Sequence, residues 1–344
     1  MSKLSTLQRG QLAAQAAPPG GAARPAAVAG TARRWLTHPA VAAVVALALV
    51  LLPFTGQDKF VLSVAVTTFI TAIAAASLHL IVRTGHVSLG HAAFMGIGAY
   101  VSALATMRLN LPFPLAVCLA FLAPAALALL VGPVVLRLTG KYFVLVTFLF
   151  GEIVRTVFVN WTEVTGGSNG IFGVPAPSPY FAEPVPFYYL ALGFMLVILA
   201  LIARLFNSEI GRAIEAIRES EPLARCSGVP VLRLKVTIFV LACGLAGIAG
   251  ALQGHFVRYI DPTSFATDQS LTLVVINVVG GMFTLVGPIL GTLFMVLLPE
   301  FLRGYVELQH VFFGVVLILV MAFFSGGIAD MGQLLRRGGA KGAK

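Results

Sequence analysis

Charge is scarce in this sequence. Only 10% of its 344 residues are Asp, Glu, Lys or Arg, where a soluble chain carries about a quarter. That shortage excludes an ordinary soluble domain. The remainder is 58% hydrophobic with a mean hydropathy of +0.95, the composition of a chain that lives in a membrane. Cysteine is nearly absent: Cys118, Cys226 and Cys243 are odd in number and scattered, so no disulfide framework or thiolate metal site is implied. His86 and His91 lie five apart, off one helical face, with no Cys or acid beside them, and no metal site is expected. No G-x-x-x-x-G-K-[ST] phosphate loop occurs, so the chain is not itself an ATPase. Period-two alternation is also missing, which excludes transmembrane β-strands.

What is there is a series of apolar runs, near 39–54, 60–82, 87–107, 112–136, 142–159, 186–206, 233–256, 269–285, 288–303 and 311–326. They predict an all-α, polytopic membrane protein of about eight to ten spans. The first run, and those from Val87 and Pro288, are candidates for tilted, re-entrant or broken segments. Residues 1–38, rich in Ala, Pro and Gly with scattered Arg, are expected to form a disordered basic cytoplasmic tail. The transmembrane unit then runs over 39–328, and 329–344 form a second basic tail. With ten spans most of the Lys and Arg residues fall in the tails, at Arg83, at Arg137 to Lys141 and in the loop 204–235, whereas the loop 160–185 holds Glu163 and Glu183 but no basic residue. The positive-inside rule therefore places both termini in the cytoplasm. It also accounts for the net charge of +10 without a nucleic-acid partner.

The hydrophilic stretch 207–230 carries the clearest pattern. Ser208 is a candidate N-cap with Glu209 in the first turn, and Ser220 starts a second helix that tolerates Pro222 in its first turn and is closed by Gly228. Ile210, Ala213, Ile214 and Ile217 give the first helix an apolar face that requires a partner, on lipid or in a protein groove. A solvated connector is the plain alternative.

This segment is similar to a known element. Glu215-Ala216 followed by Gly228 resembles the EAA coupling loop of ATP-binding-cassette importer permeases. The fuller set Gly211, Arg212, Ala213, Ala216, Ile217, Arg218, Glu219, Ala224 and Gly228 resembles the LivM branch of the branched-chain amino-acid permeases. Three further stretches agree in order: Ser88 to Tyr100; Gly140-Lys-Tyr-Phe with Gly151 to Arg155 and Thr165-Gly-Gly-Ser-Asn-Gly170; and Gly280-Gly with Gly287-Pro-Ile-Leu-Gly291. Together they cover roughly residues 77 to 303. The sequence departs from the family's pattern at His79, His86 and Asn277.

The resemblance implies a permease subunit of a bacterial inner-membrane importer and not an enzyme. It further implies a LivH-like second permease, two cytoplasmic LivG/LivF-like ATPases that hold ATP and Mg, and a periplasmic binding protein. Gly211, Arg212, Glu215, Ala216, Arg218, Glu219 and Gly228 would carry coupling. The chain itself holds no cofactor. Branched-chain amino acids are the expected cargo, with urea, amides or aromatic acids as alternatives. A self-contained secondary transporter or channel is the reading of a different class, but it requires ion-coupling carboxylates in the spans, and Glu152 alone lies well inside an apolar run.

Other residues admit two readings each. Ser88 and Gly90 precede a glycine-punctuated run that either packs helices closely or offers backbone to the substrate path. Glu152 and Arg155 form either a structural ion pair or a contact for a zwitterionic substrate. Trp161, Thr165, Gly166, Gly167 and Asn169 belong to a turn-rich outer loop that is either local turn chemistry or the docking point of the binding protein. Gly244, Gly247, Gly250, Gly254, Gly287 and Gly291 read as helix contacts.

Overall fold

The computed structural model describes residues 59–301 other than Phe283 and Leu285, together with the isolated Pro53 and Gly314. The runs at 39–54 and 311–326, and both tails, lie outside the described residues. The rest of the reading is met by helices α1 (Lys59–Val82), α2 (His91–Met107), α3 (Phe113–Val135), α4 (Lys141–Asn160) and α5 (Pro184–Phe206), then α6 (Glu209–Glu219), α7 (Glu221–Cys226), α8 (Val231–Val257), α9 (Thr267–Gly280) and α10 (Gly287–Phe301). The protein is a polytopic helical bundle. Helices α1, α3, α4, α5 and α8 are long and apolar enough to cross a bilayer.

Helix α8 is the centre of the packing. It lies against α2 and α3 most extensively and then against α1, and glycine is what brings their backbones together. A Cβ on Gly247 would sit 2.0 Å from the Ala120 carbonyl oxygen, and one on Gly250 would sit 1.9 Å from that of Met95. Neither position accepts a side chain without moving a helix. Gly291 meets the Ile276 carbonyl in the same way and closes the α9–α10 hairpin.

Two elements are shorter than expected. Helix α2 has 17 residues and α9 has 14, about 25 and 21 Å at 1.5 Å per residue, against a hydrocarbon core of about 30 Å. The run from Val87 begins as non-helical backbone, and the run 269–285 stops being helical at Gly280, where Gly281 takes φ +114. Thr84, His86 and Ser88 are buried within the segment between α1 and α2, the setting in which irregular backbone is tolerated at membrane depth. The start of α2 is held from outside: the Leu89 amide donates to Thr147 Oγ1 of α4 at 3.2 Å and the Ala92 amide to Ser270 Oγ of α9 at 2.9 Å.

Two of the departures from the family pattern meet each other. His79 Nδ1 and Asn277 Oδ1 lie 3.1 Å apart in the buried seam between α1 and α9, and Asn277 Nδ2 donates to the carbonyls of Ala75 and Leu273. A polar group on one helix is thus answered by a polar group on the other, which offsets part of the desolvation penalty that either would bear alone, although His79 Nε2 is buried with no hydrogen-bond partner among the described residues.

Candidate functional site

The basic end of the bundle carries Arg83, Arg137, Lys141 and the helix pair α6–α7. Helix α6 forms because its apolar residues recur at helical spacing while the polar ones take the opposite side. Gly211, Ile214 and Ile217 are buried against the bundle, and Gly211 is pressed so closely on Phe206 that a Cβ would fall 2.3 Å from its carbonyl oxygen. Arg212, Ala216 and Glu219 are exposed on the other face, while Ile210 of the predicted apolar face is 40% exposed. The partner that this face requires is therefore the bundle itself for Ile214 and Ile217.

Both serines occupy N-cap positions with extended backbone, but neither hydroxyl caps its helix. Ser208 Oγ turns back and donates to the Leu205 carbonyl of α5 at 2.6 Å. The chain turns so tightly from α5 into α6 that the preceding carbonyl is nearer than the amides ahead. The second helix ends as expected: Ser227 is its C-cap, and Gly228 follows at φ +81, with open space where a Cβ would stand. A left-handed residue at this position favours glycine.

Ion pairs lace the loop. Glu215 accepts from Arg218 at 3.5 Å and lies 3.9 Å from Arg83, whose guanidinium stacks over Phe206 at 4.9 Å. Glu209 pairs with Arg212 at 3.3 Å. Glu221 accepts from Lys235 of α8 at 2.7 Å and from Arg225 at 2.6 Å. The Lys235 bond, with Arg225 in support, holds the Glu221 carboxyl below its ordinary value against the opposing effect of burial. Sequence reasoning missed Arg83, Glu221 and Lys235. The signal available was a lone lysine one turn inside a span, a position that requires an anion.

In the middle of α4, Arg155 Nε donates to Glu152 Oε2 at 2.9 Å, and Glu152 Oε1 accepts from Thr267 Oγ1 of α9 at 2.6 Å. The pair therefore also joins two helices. Each side chain remains about one-third exposed, at 36% and 31%, beside a stripe of exposed Leu145, Leu149, Ile153 and Val157. Ser88 Oγ is fully buried and has no hydrogen-bond partner among the described residues. Gly90 is wedged against α4, where a Cβ would stand 2.3 Å from the Thr147 carbonyl. Ser88 and Gly90 thus sit at the packed crossing of α2 and α4, while Glu152 and Arg155 face outward from it.

At the far end the loop after α4 is ordered by its own backbone. Gly166, Gly167 and Gly170 take φ values of +75, +64 and +71, and Thr165, buried, sends its hydroxyl to the carbonyls of Phe158 and Trp161 at 2.6 and 2.7 Å. Strands β1 (Ile171–Phe172) and β2 (Tyr259–Ile260) pair antiparallel, Ile171 with Ile260 and Phe172 with Tyr259. Arg108 donates to the Glu163 carbonyl, Arg258 to that of Ala182, and Tyr259 to that of Asn169. Burial raises the Asp261 carboxyl, but hydrogen bonds from Thr263 and Ser264 outweigh it and leave the group below its usual value. Thr165 and Gly167 are buried scaffold here, whereas Trp161 and Asn169 are exposed together with Phe172 and Tyr180. The last two were not singled out in the sequence, because single exposed aromatics carry no local pattern.

No group of His, Cys, Asp and Glu able to hold a metal ion occurs among the described residues. Compared with known proteins, residues 60–321 match the family described as "Branched-chain amino acid transport system / permease component". The chain is 34% identical over 310 residues to the high-affinity branched-chain amino acid transport system permease protein LivM of Escherichia coli K12, covering 81% of this chain and 73% of that protein. It is 27% identical over 255 residues to the ribose import permease protein RbsC of the same strain, with 71% and 76% covered. It is 23% identical over 157 residues to a probable branched-chain amino acid transport permease protein LivM of Methanocaldococcus jannaschii, with 41% and 46% covered. No solved structure matches.

Proposed function

The chain belongs to the permease-component family of branched-chain amino acid transport systems, and on that premise we propose that it forms one transmembrane subunit of an ATP-binding-cassette importer for branched-chain amino acids. The observation that carries the reading is the extended match to LivM, higher in identity and longer than the match to the ribose permease. The amphipathic helix pair at the basic end supports it from the structural side. Loop helices with a buried inner face and a charged, exposed outer face suit a docked protein that must push on them.

In this reading the basic end faces the cytoplasm, both termini lie there, and the membrane is the bacterial inner membrane. Two ATPase subunits hold ATP and Mg and dock on Arg212, Ala216, Glu219 and Gly228, while Gly211, Glu215 and Arg218 secure the loop to the bundle. A second, LivH-like permease completes the transmembrane unit. Its contact with α4 gives Glu152 and Arg155 a setting away from lipid, and an aliphatic zwitterion finds there one group of each sign beside an apolar stripe. Ser88 and Gly90 belong to the same path, closed by helix contact in this conformation. A periplasmic binding protein docks at the far end on Trp161 and Asn169, over the scaffold of Thr165, Gly166 and Gly167. ATP-driven closure of the ATPases switches the bundle between two states of access, and the chain performs no covalent chemistry of its own.

The test is uptake of labelled leucine by proteoliposomes containing both permeases and the ATPases, with binding protein outside and ATP inside. Uptake that requires ATP and is competed by isoleucine and valine, but not by ribose, is the expected result. Uptake driven by an ion gradient without ATP, or competed by ribose alone, overturns it.

A further inference from the structure

The helix pair α6–α7 is joined to the bundle by more than its two chain ends. A small apolar cluster of Ile217, Ala224 and Val231 sits beneath it, and two of its carboxylates reach the bundle, Glu215 toward Arg83 and Glu221 toward Lys235. The Glu221–Lys235 pair stands apart from its neighbours. The cations of the loop's internal pairs, Arg212, Arg218 and Arg225, are 70%, 21% and 66% exposed, whereas Lys235 is 3% exposed. Exposed pairs of that kind contribute little and are screened by salt. A buried ammonium is costly without a close anion, and Glu221 Oε2 at 2.7 Å supplies it.

The location of this pair is informative. Helix α7 is connected to α8 through Ser227 to Pro230, a short joint containing Gly228 in the left-handed region. The joint is closed by its own backbone, with the Gly228 amide donating to the Arg225 carbonyl at 3.0 Å and the Val229 amide to that of Ala224 at 3.1 Å, and Val231 of α8 packs on Ile217 and Ala224. The ion pair bridges across it, from the first residue of α7 to the second turn of α8, the helix around which α1, α2 and α3 pack. A lysine acting only as a membrane-surface anchor would extend its tip to water. Lys235 does the opposite and points its ammonium into the joint.

We propose that Lys235 is a positioning residue for energy coupling, whose buried ammonium latches Glu221 so that α7 and α8 move as one body when the loop is displaced. The inference rests on the reading of α6–α7 as the ATPase-docking element. It predicts that breaking the latch separates ATP hydrolysis from transport without releasing the ATPases.

The experiment uses the full reconstituted complex, with leucine uptake and phosphate release measured in parallel on Lys235→Met, Glu221→Gln, the double variant and Lys235→Arg. Each single neutralisation is expected to lower leucine taken up per ATP hydrolysed by about tenfold, within the range of allosteric couplings, while the ATPases still co-purify. The double variant should be no worse than either single one, because both act through one contact. Lys235→Arg should restore most of the coupling. Wild-type uptake per ATP in both single variants overturns the proposal, as does a double-variant loss equal to the product of the two single losses. Should Glu221→Gln fail to assemble because it leaves the buried ammonium without its anion, Lys235→Met decides alone, since the carboxylate it leaves is 27% exposed and keeps Arg225 at 2.6 Å. Failure of the docking reading is separable: it appears as a Gly228→Glu complex with unaltered uptake and ATPase stimulation, whereas failure of the latch alone leaves Gly228→Glu uncoupled.

Discussion

The two ends of the bundle hold their loops by different physics. At the basic end, α6 and α7 are regular helices attached through side chains: a few buried aliphatic residues and the ion pairs to Arg83 and Lys235. At the far end the loop is attached through backbone, with left-handed glycines, a two-residue ribbon and three carbonyls gripped by Arg108, Arg258 and Tyr259. Side-chain attachment lets a rigid helix pair shift as a unit. Backbone attachment sets one loop shape and resists change. The difference suits an end that must be moved and an end that must keep a fixed face.

The largest effect expected from this contrast is at Gly228. Because a Cβ there meets open space, Gly228→Glu costs only the left-handed backbone strain, about 1–2 kcal/mol, and the permease should fold. The new carboxylate projects from the exposed side of the joint, so uptake should fall to background and ATP hydrolysis should lose its stimulation by substrate. Substrate-stimulated hydrolysis at the wild-type level in that variant would remove the coupling assignment. The far end should answer a glycine change in the opposite manner. Gly170 has φ +71 and ψ −167, and its Cβ would stand 2.1 Å from the Ile260 carbonyl. Gly170→Val should therefore destabilise the fold by about 3 kcal/mol through backbone strain and overlap, read as a lower Tm of the purified permease in detergent. An unchanged Tm would show that this loop is not held by its backbone.

A smaller effect is expected between the two ends, on α4. Removing the guanidinium in Arg155→Gln leaves Glu152 its bond from Thr267 at 2.6 Å, so the α4–α9 contact survives. Uptake should fall several-fold with ATPase association intact. Unaltered uptake in vesicles would leave the pair a structural one.

How much of this was legible in the sequence depends on which forces act locally. Helices α1 to α5 and α8 to α10 were readable because continuous apolar runs need no tertiary context. Helix pair α6–α7 was readable in the same way, from periodicity, Pro222 and Gly228. The breaks at Gly90 and Gly281 were not placed, since a helix that stops within an apolar run does so because Thr147, Ser270 and the α9–α10 glycines meet it in three dimensions. The cap positions were legible, but the capping bond of Ser208 was not, for a related reason: the serine has the right backbone but a nearer acceptor behind it. The pairs Glu221–Lys235 and Glu215–Arg83 join residues far apart in sequence and left no spacing to detect. Nor did the His79–Asn277 contact, although each residue alone was visible as a departure.

The smallest expected effect is on pH, and it separates the two attachments most directly. Glu221 at the basic end and Asp261 at the far end both have depressed pKa values, from ordinary values of 4.5 and 3.8. A carboxyl depressed in the folded state contributes stability that is fully present above its unfolded value and is lost as pH falls through the folded one. Neither loop should therefore change between pH 8 and pH 5. Below the ordinary carboxylate range the two ends should part. Protonation of Glu221 removes the anion beside buried Lys235, and α6–α7 should loosen. Protonation of Asp261 leaves the β1–β2 pairing and the glycine turns in place, because backbone amides and carbonyls do not titrate there. Hydrogen exchange quenched from samples equilibrated at pH 7, at pH 5 and at descending steps below the ordinary carboxylate values would show this as protection lost in 209–226 and kept in 165–174. Simultaneous loss at both ends would mean that the far-end loop depends on its charges as much as the coupling loop does.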